Sequence, residues 1–468
     1  MSGLASIEKR IPHTIRQLLT AFYTAGYDAV LVGGCVRDLF MGHAPADYDI
    51  ATSALPDEVI ALFSGHCKSV GKAFGTVIVP YPGGHAEVTT YREEADYADG
   101  RHPNVVRFTT DLTKDLARRD FTMNAMAWHP DRGITDPFGG QEDIRKKRLC
   151  AVGDPNRRLQ EDALRILRGV RFAARFGLKP DAAFLQAAAQ EAARLKNISA
   201  ERVFSETERM LTGQKPSTAF YLLEETGALA ELFPELQIMV GFDQETPFHH
   251  LDLMAHTLCV TDRVAPEIHL RWAALLHDAG KPAAKFYDEN GQARYYGHDK
   301  QSVEVAKRLL ERLRAPNERI GIVCALIGHH MANTNPYTKK SVKKLLRKIG
   351  RERLEQLFLL QEADCACASN QGAGHVQEGR ALLQEILAAK EPFSTKQLAV
   401  NGRDLIGIGI PEGPMIGYFL QRALAYTEEH PDKNHRQLLL AKIQEERRNV
   451  RWENTSAPTA SAESQERS

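Results

Sequence analysis

Asp47 and Asp49 stand two residues apart in Ala46-Asp47-Tyr48-Asp49-Ile50. On a strand, residues i and i+2 point to the same face, so both carboxylates would project together. Paired carboxylate oxygens suit magnesium, which can clamp a triphosphate and activate an attacking hydroxyl. Upstream, the apolar run ending at Val32 reads as a buried strand. Gly33 and Gly34 then let the chain turn tightly into a helix whose N-terminal amides face a phosphate. Taken singly these are weak signals, since Asp-x-Asp and Gly-Gly both serve ordinary turns. Their order is more specific: strand, Gly-Gly, Arg37-Asp38 in the next helix, then Asp47-x-Asp49 entering the next strand.

Two further constellations carry chemistry of their own. In Leu116-Ala-Arg118-Arg119-Asp120-Phe-Thr-Met-Asn124-Ala, the arginine forks match phosphate oxygens, while Asp120 and Asn124 can hydrogen-bond ribose hydroxyls; the bland alternative is a solvated helix end. In Glu161-Asp162-Ala-Leu-Arg165, Asp162 and Arg165 are expected on one helical face, three residues apart. An ionised Asp only accepts and an Arg only donates. Cytosine and adenine each offer an amino donor beside a ring-nitrogen acceptor, so this pair satisfies C and A and mismatches U and G. The bland alternative is a surface ion pair worth a few tenths of a kcal/mol.

A second centre is written further along. His256, His277-Asp278, His298, His329-His330 and Asp364 form an ordered series whose imidazoles and carboxylates can bind one or two divalent metals and lower the pKa of bound water. His249 and His250 compete with His256 for the first position.

These residues must be held by at least two kinds of architecture. With 468 residues, the chain is too long for one ordinary core and should contain two to four domains. Strands are expected at Ala29–Val32, Tyr48–Ala51, Thr76–Tyr81, Ala86–Tyr91 and Val105–Phe108, with Pro82-Gly83-Gly84 closing a hairpin. Beyond residue 150 helical spacing dominates, as in Ala182–Ala193 and Val303–Leu313. The fold class is therefore α+β: a small mixed-sheet head followed by an all-α remainder. The expected divisions are 11–150 for the head, 151–245 for a helical neck, 246–370 for the histidine-bearing helical domain and 371–450 for a helical tail. Residues 451–468, poor in bulky apolar side chains, are expected to be disordered.

Lys and Arg balance Asp and Glu at 60 each, which argues against an indiscriminate nucleic-acid-binding tail and leaves room for local basic surfaces. Lys339–Arg347 and Arg436–Arg451 are such stretches, read either as RNA contacts or as solvated helix faces. Seven cysteines without repeated spacing, no apolar leader and no membrane-length apolar run suggest a reducing, cytoplasmic setting. Cys365-x-Cys367 has no second pair and reads as two small helix residues.

The wording Leu-Val-Gly-Gly-x-Val-Arg-Asp, with Asp47-x-Asp49, resembles the polymerase-beta-type nucleotidyltransferases and, within them, the tRNA CCA-adding and poly(A) polymerase branch. The resemblance continues through Arg-Arg-Asp-Phe-Thr-x-Asn-Ala, Thr135–Gly140, Glu-Asp-x-x-Arg running on to Arg168 and Arg171, Ser199–Arg202, Leu398–Ile406 and Gly413–Gly417. It thus covers nearly all of the ordered chain and matches the class II CCA-adding enzymes. It implies that Glu87 adds a third acid beside Asp47 and Asp49. Nucleotide contacts are implied for Gly33, Gly34, Arg37, Arg118, Arg119, Asp120, Asn124, Asp162, Arg165, Arg168 and Arg171. The polar segment Arg92–Arg107 is implied to be a mobile lever. The histidine series resembles HD-type phosphohydrolases, associated in this family with phosphatase and 2′,3′-cyclic phosphodiesterase activity; Asp299 stands where a Glu is common.

The expected function is template-independent addition of C, C and A to the tRNA 3′ end from CTP and ATP, with Mg2+ in the head and one or two divalent ions in the HD site. An enzyme adding only the terminal A is the nearest rival. A poly(A) polymerase, or an HD phosphohydrolase with a nucleotide-binding head, are further ones.

Overall fold

The computed structural model describes residues 7–63, 67–69, 75–95, 105–245, 251–332, 336–368 and 373–449. The chain forms two compact units, Met1–Cys324 and Ala325–Ser468. The division falls inside helix Asn317–Ile327.

The first unit begins with α1 (His13–Thr24), β1 (Ala29–Val32), α2 (Gly34–Met41) and β2 (Asp49–Thr52). Next come β3 (Lys68–Ser69), β4 (Thr76–Tyr81), β5 (Gly84–Thr90), β6 (Arg92–Ala95), β7 (Val105–Phe108), α3 (Leu112–Ala117), β8 (Ala127–His129) and β9 (Gly133–Thr135). Seven strands form one sheet in the order β3-β4-β5-β2-β1-β8-β9. All neighbours are antiparallel except β2 and β5, which run parallel with Asp49 opposite Glu87. Alternation divides the sheet's two faces. Leu31, Ile50, Val88 and Trp128 pack in one core, whereas Val30, Val32 and Ala51 pack with Leu116 in another. Asp49 shares its face with Ala51, so it points toward the side covered by α3 and the segment after it.

The β4–β5 hairpin has a two-residue loop, Pro82-Gly83, with Gly83 at φ +100°, a conformation natural to Gly. The strand expected at Tyr48–Ala51 begins only at Asp49, and the one expected at Ala86–Tyr91 runs from Gly84 to Thr90. Asp47 therefore lies in the bend before β2 and is exposed. β6 and β7 pair into a separate ribbon, Arg92 opposite Phe108. The base of the expected lever is thus β structure; residues 96–104 of it lie outside the described residues.

The helical part of the first unit includes α4 (Pro155–Glu161), α5 (Leu164–Phe176), α6 (Ala200–Leu211), α7 (Leu253–Arg263), α8 (Ile268–Leu276) and α9 (His298–Arg312). Asp154 caps α4 through Asn156 N–H, and Gly177 at φ +61° ends α5. Gly169 lets Phe121 and Phe184 close on α5: a Cβ there would meet Phe184 at 2.4 Å and Phe121 at 2.9 Å. Short strand pairs also occur after residue 147, Arg148–Leu149 with Lys179–Pro180 and β10 (Phe286–Tyr287) with β11 (Ala293–Arg294). Two-residue strands lack a periodic signal, so helical spacing masked them.

In the second unit, α10 (Lys339–Ile349), α11 (Arg351–Cys367) and α12 (Gly374–Ala388) precede a smaller cluster. There Leu398, Val400, Leu405 and Ile410 pack with Phe419, Leu424, Leu439 and Ile443. Cys365 and Cys367 both lie on α11, as their spacing suggested. Among the described residues no helix is long and apolar enough to cross a membrane. Residues 451–468 lie outside the described residues.

Candidate active site and metal centre

The β2/β5 register brings Asp49 and Glu87 side by side. Burial pushes the Asp49 carboxyl up to about 6, and the neighbouring negative charges of Asp47 and Glu87 push the same way, against Arg119. Three carboxylates crowded about the start of β2, on the interior β2/β5 pair, repel one another unless a cation sits among them. That donor set, oxygen only and partly open to solvent, fits magnesium.

On the neighbouring strand's exit Gly33 adopts φ +78°, and a Cβ on it would lie 2.9 Å from Arg119 Nη1. Gly33 thus supplies both the left-handed turn from β1 into α2 and the room for a guanidinium. Arg118 and Arg119 are held by Asp115, at 2.8 Å and 3.3 Å. Burial opposes ionisation of Asp115, but the two arginines outweigh it and lower its pKa. Arg118 also meets Glu94 on β6 at 3.1 Å, tying the ribbon's base to α3.

A polar chain leads from the turn into the neck. Arg37 donates to Asn124 Oδ1 (2.7 Å), Asn124 donates to Asp120 Oδ1 (3.0 Å), and Arg168 pairs with Asp120 Oδ2 at 2.6 Å. Arg37 also lies over the Phe172 and Phe176 rings of α5, at 5.1 Å and 4.6 Å. Burial would raise the Asp120 pKa, yet Arg168 and the Asn124 hydrogen bond prevail and hold it near 2. Arg171 is buried against Glu206 of α6 at 2.5 Å.

Asp162 and Arg165 do not share a continuous helix. α4 ends at Glu161, Asp162 is extended (φ −153°, ψ 104°), and α5 starts at Leu164. Asp162 Oδ1 accepts the Leu164 N–H at 3.0 Å, which is why the helix restarts there. Its other oxygen meets Arg202 at 2.6 Å. Arg165 is held by Glu161 (2.6 Å) and donates to the Arg158 carbonyl (2.8 Å). The two side chains make no ion pair with each other; each is fixed from behind. Glu161, Arg158, Asp115, Arg202 and Glu206 carry this scaffolding, and sequence reasoning gave none of them a role. The i,i+3 and i,i+4 spacings of Asp115 to Arg118 and Arg119, and of Glu161 to Arg158 and Arg165, were the available signal.

The second centre lies deeper in the first unit. His256, His277 and Asp278 are buried, with ligand atoms close enough to share one ion. Around Asp278 stand the Nε2 atoms of His277 at 3.2 Å, His298 at 3.3 Å and His256 at 3.7 Å. His277 Nδ1 lies 2.8 Å from the Ala274 carbonyl, and His298 Nδ1 2.8 Å from that of Tyr295. Those contacts place a hydrogen on each Nδ1 and leave Nε2 as the ring atom that faces Asp278, the one available to a metal. Lys281 also reaches Asp278, at 2.7 Å. Burial works against the Asp278 charge, but His277 and Lys281 overcome it and hold the carboxyl well below its usual range. The donor set, three imidazoles and one carboxylate, fits a divalent transition metal. Asp299 follows His298 in the first turn of α9. His329, His330 and Asp364 belong to the second unit, where His330 is buried and its carbonyl accepts from Gln361 at 2.8 Å. His249 and His250 lie outside the described residues.

Comparison with known proteins agrees with this layout. Residues 29–150 match the poly A polymerase head domain, 177–239 the family described as a probable RNA and SrmB-binding site of polymerase A, and 250–369 the HD domain. A CCA-adding enzyme of Geobacillus sp. (strain WCH70) is 34% identical over 420 residues, 88% of this chain and 93% of that protein. The CCA-adding enzyme of Geobacillus stearothermophilus is 35% identical over 399 residues, 84% and 86% of the two chains. The crystal structure of the Bacillus stearothermophilus CCA-adding enzyme in complex with CTP superposes with a TM-score of 0.72 at 29% identity, covering 93% of this chain and 97% of that one. A Thermotoga maritima CCA-adding enzyme complexed with tRNA shares the fold, with a TM-score of 0.58 at 18% identity over 95% and 98% of the chains.

Proposed function

Because the chain belongs to the CCA-adding enzymes, nucleotidyltransferases with a poly A polymerase head and an HD domain, we propose that it adds C, C and A to the 3′ end of tRNA from CTP and ATP. The observation that carries this reading is the Asp49–Glu87 register beside Gly33 and Arg119, continuous through Asp120 and Arg168 with the Asp162/Arg165 helix break. Asp47, Asp49 and Glu87 would hold Mg2+, which supplies activation of the 3′-hydroxyl and neutralisation of the leaving pyrophosphate. Gly33 and Gly34 let the triphosphate approach the backbone, and Arg37, Arg118 and Arg119 place guanidinium groups along it. Asp120 and Asn124 orient the ribose. Asp162 accepts from the base's amino group and Arg165 donates to its ring nitrogen, with Arg168 and Arg171 anchoring that helix.

Asp47→Ala with Asp49→Ala should abolish label incorporation from CTP and ATP while leaving the circular dichroism spectrum intact; retained incorporation would overturn the assignment. Labelled CTP supplied with tRNA ending at the discriminator base separates full CCA addition from A-only addition, because only the former incorporates it.

For the His256/His277/Asp278/His298 cluster we propose metal-dependent phosphohydrolysis, including of 2′,3′-cyclic phosphates. The tautomers fixed by Ala274 and Tyr295 support ligation. His277→Ala with Asp278→Ala should remove this hydrolysis and spare nucleotide addition. An unchanged hydrolysis rate would end that reading.

A further inference from the structure

Phe172 of α5 is 5% exposed, and three guanidinium groups lie over its ring: Arg171 at 4.1 Å from the centroid, Arg37 at 5.1 Å and Arg168 at 5.4 Å. Like charges gathered around one ring repel one another and need compensation. Each arginine has its own carboxylate: Asp38 for Arg37 at 2.7 Å, Asp120 for Arg168 at 2.6 Å and Glu206 for Arg171 at 2.5 Å. Those acids come from α2, from the segment after α3 and from α6. Common to all three pairs is the phenyl ring, whose electron-rich faces attract cations, most strongly out of water. The ring is itself held in place, with Phe121 edge-on at 5.9 Å and 85° and Phe176 stacked at 6.1 Å and 19°.

Each arginine leads to a different part of the nucleotide site. A Cβ on Gly34 would lie 3.5 Å from Arg37 Nη2, so this guanidinium packs against the backbone that the triphosphate is proposed to approach. Arg168 reaches Asn124 through Asp120, the pair assigned to the ribose. Arg171 reaches α6 through Glu206, and α6 also carries Arg202, which holds Asp162 at 2.6 Å. Arg165 lies on α5 itself, about two turns nearer its start. The phosphate, ribose and base ends of the site thus converge on one side chain.

We propose that Phe172 is a positioning residue for the nucleotide, fixing the spacing of the triphosphate, ribose and base contacts by holding Arg37, Arg168 and Arg171 on one π-system. The inference rests on the CCA-addition reading above and adds to it a residue that acts through other side chains. An aliphatic side chain could fill the same volume, but it has no quadrupole and would leave each guanidinium held by its own acid alone.

The test places phenylalanines bearing one, two and three ring fluorines at position 172 of the full-length protein by suppression of a stop codon, and adds Phe172→Leu. Fluorination draws electron density from the ring faces while keeping the ring's shape, so each step weakens the attraction for a cation. CTP affinity is measured by calorimetry without tRNA. KM and kcat are measured for CTP with tRNA ending at the discriminator base and for ATP with tRNA ending in CC. The Kd for CTP and the KM for both nucleotides should rise stepwise with fluorine number, reaching about tenfold at three fluorines and in Phe172→Leu. The kcat should change less than KM, and the KM for tRNA should stay as in the wild type. If circular dichroism shows that Phe172→Leu does not fold, the fluorinated series alone decides. CTP affinity and nucleotide KM independent of fluorine number would overturn the proposal and leave Phe172 as core packing, even with a lowered urea midpoint. Failure of the wild type to incorporate either nucleotide would instead count against the CCA-addition reading, while the CTP Kd still decides the role of the ring.

Discussion

Asp120 shows how one charge is tuned by its surroundings. It is buried, yet Arg168 and Asn124 hold its pKa near 2 instead of the unperturbed 3.8. A depressed carboxylate pKa means that ionised Asp120 stabilises the fold at neutral pH. The contribution is complete above the unfolded value and is lost as pH falls from about 4 toward 2. A shift of that size corresponds to about 2 kcal/mol. Urea denaturation of the wild type and Asp120→Asn should therefore differ by about that amount from pH 7 down to pH 5, with the gap narrowing below pH 4. A gap that does not narrow would mean the charge is not what Asp120 contributes. Asp49 is the opposite case, its ionisation opposed by burial and by Asp47 and Glu87, as suits a group that awaits a cation.

At the scale of elements, α5 has to be anchored on both sides if its start is to hold Asp162 and Arg165 in place. Arg168 ties it to the head through Asp120, and Arg171 ties it to α6 through Glu206. Burial lowers the Arg171 pKa even against the Glu206 charge, so the pair is paid for in desolvation. Removing one partner leaves the other buried and uncompensated, at a cost of about 3–5 kcal/mol. Glu206→Ala should lower the urea midpoint accordingly, whereas Arg171→Met with Glu206→Leu should recover most of the loss. Equal destabilisation by single and double replacements would show that packing, not charge, holds α5 to α6.

For the whole molecule, a net charge of zero requires that RNA be met by local surfaces. On α10 the basic stretch separates into two stripes. Lys339 and Lys343 are spent on Glu391, at 2.8 Å and 2.7 Å, and Arg347 on Glu428. Lys340, Lys344 and Lys348, four residues apart, are exposed and make no ion pair among the described residues. In the second basic stretch, Arg436 and Lys442 are paired with Asp404 and Glu445. The α10 stripe is thus the better candidate for phosphate contact. Lys340→Glu/Lys344→Glu/Lys348→Glu should weaken tRNA binding and reduce the slope of log affinity against log salt by up to about 3, with CTP affinity unchanged. An unaltered slope would place the RNA contacts elsewhere.

What the sequence determined by itself was the short-range structure and the family. Residue types and order sufficed for the Gly33-Gly34 turn, for the apolar run of β1 and for the strands β2, β4 and β5, because each rests on short spacing. The tertiary structure decided where the site's side chains meet and what holds them. Only the β2/β5 register sets Asp49 against Glu87, and only packing joins Asp120 to Arg168 across 48 positions. The break after Glu161 escaped a periodicity argument, because Asp162 caps the next helix where an uninterrupted one was expected. The exposure of Phe286, Tyr287 and Tyr296 was likewise invisible. Two-residue strands carry no period, and exposure is a property of what fails to pack, which no local run of residues can express.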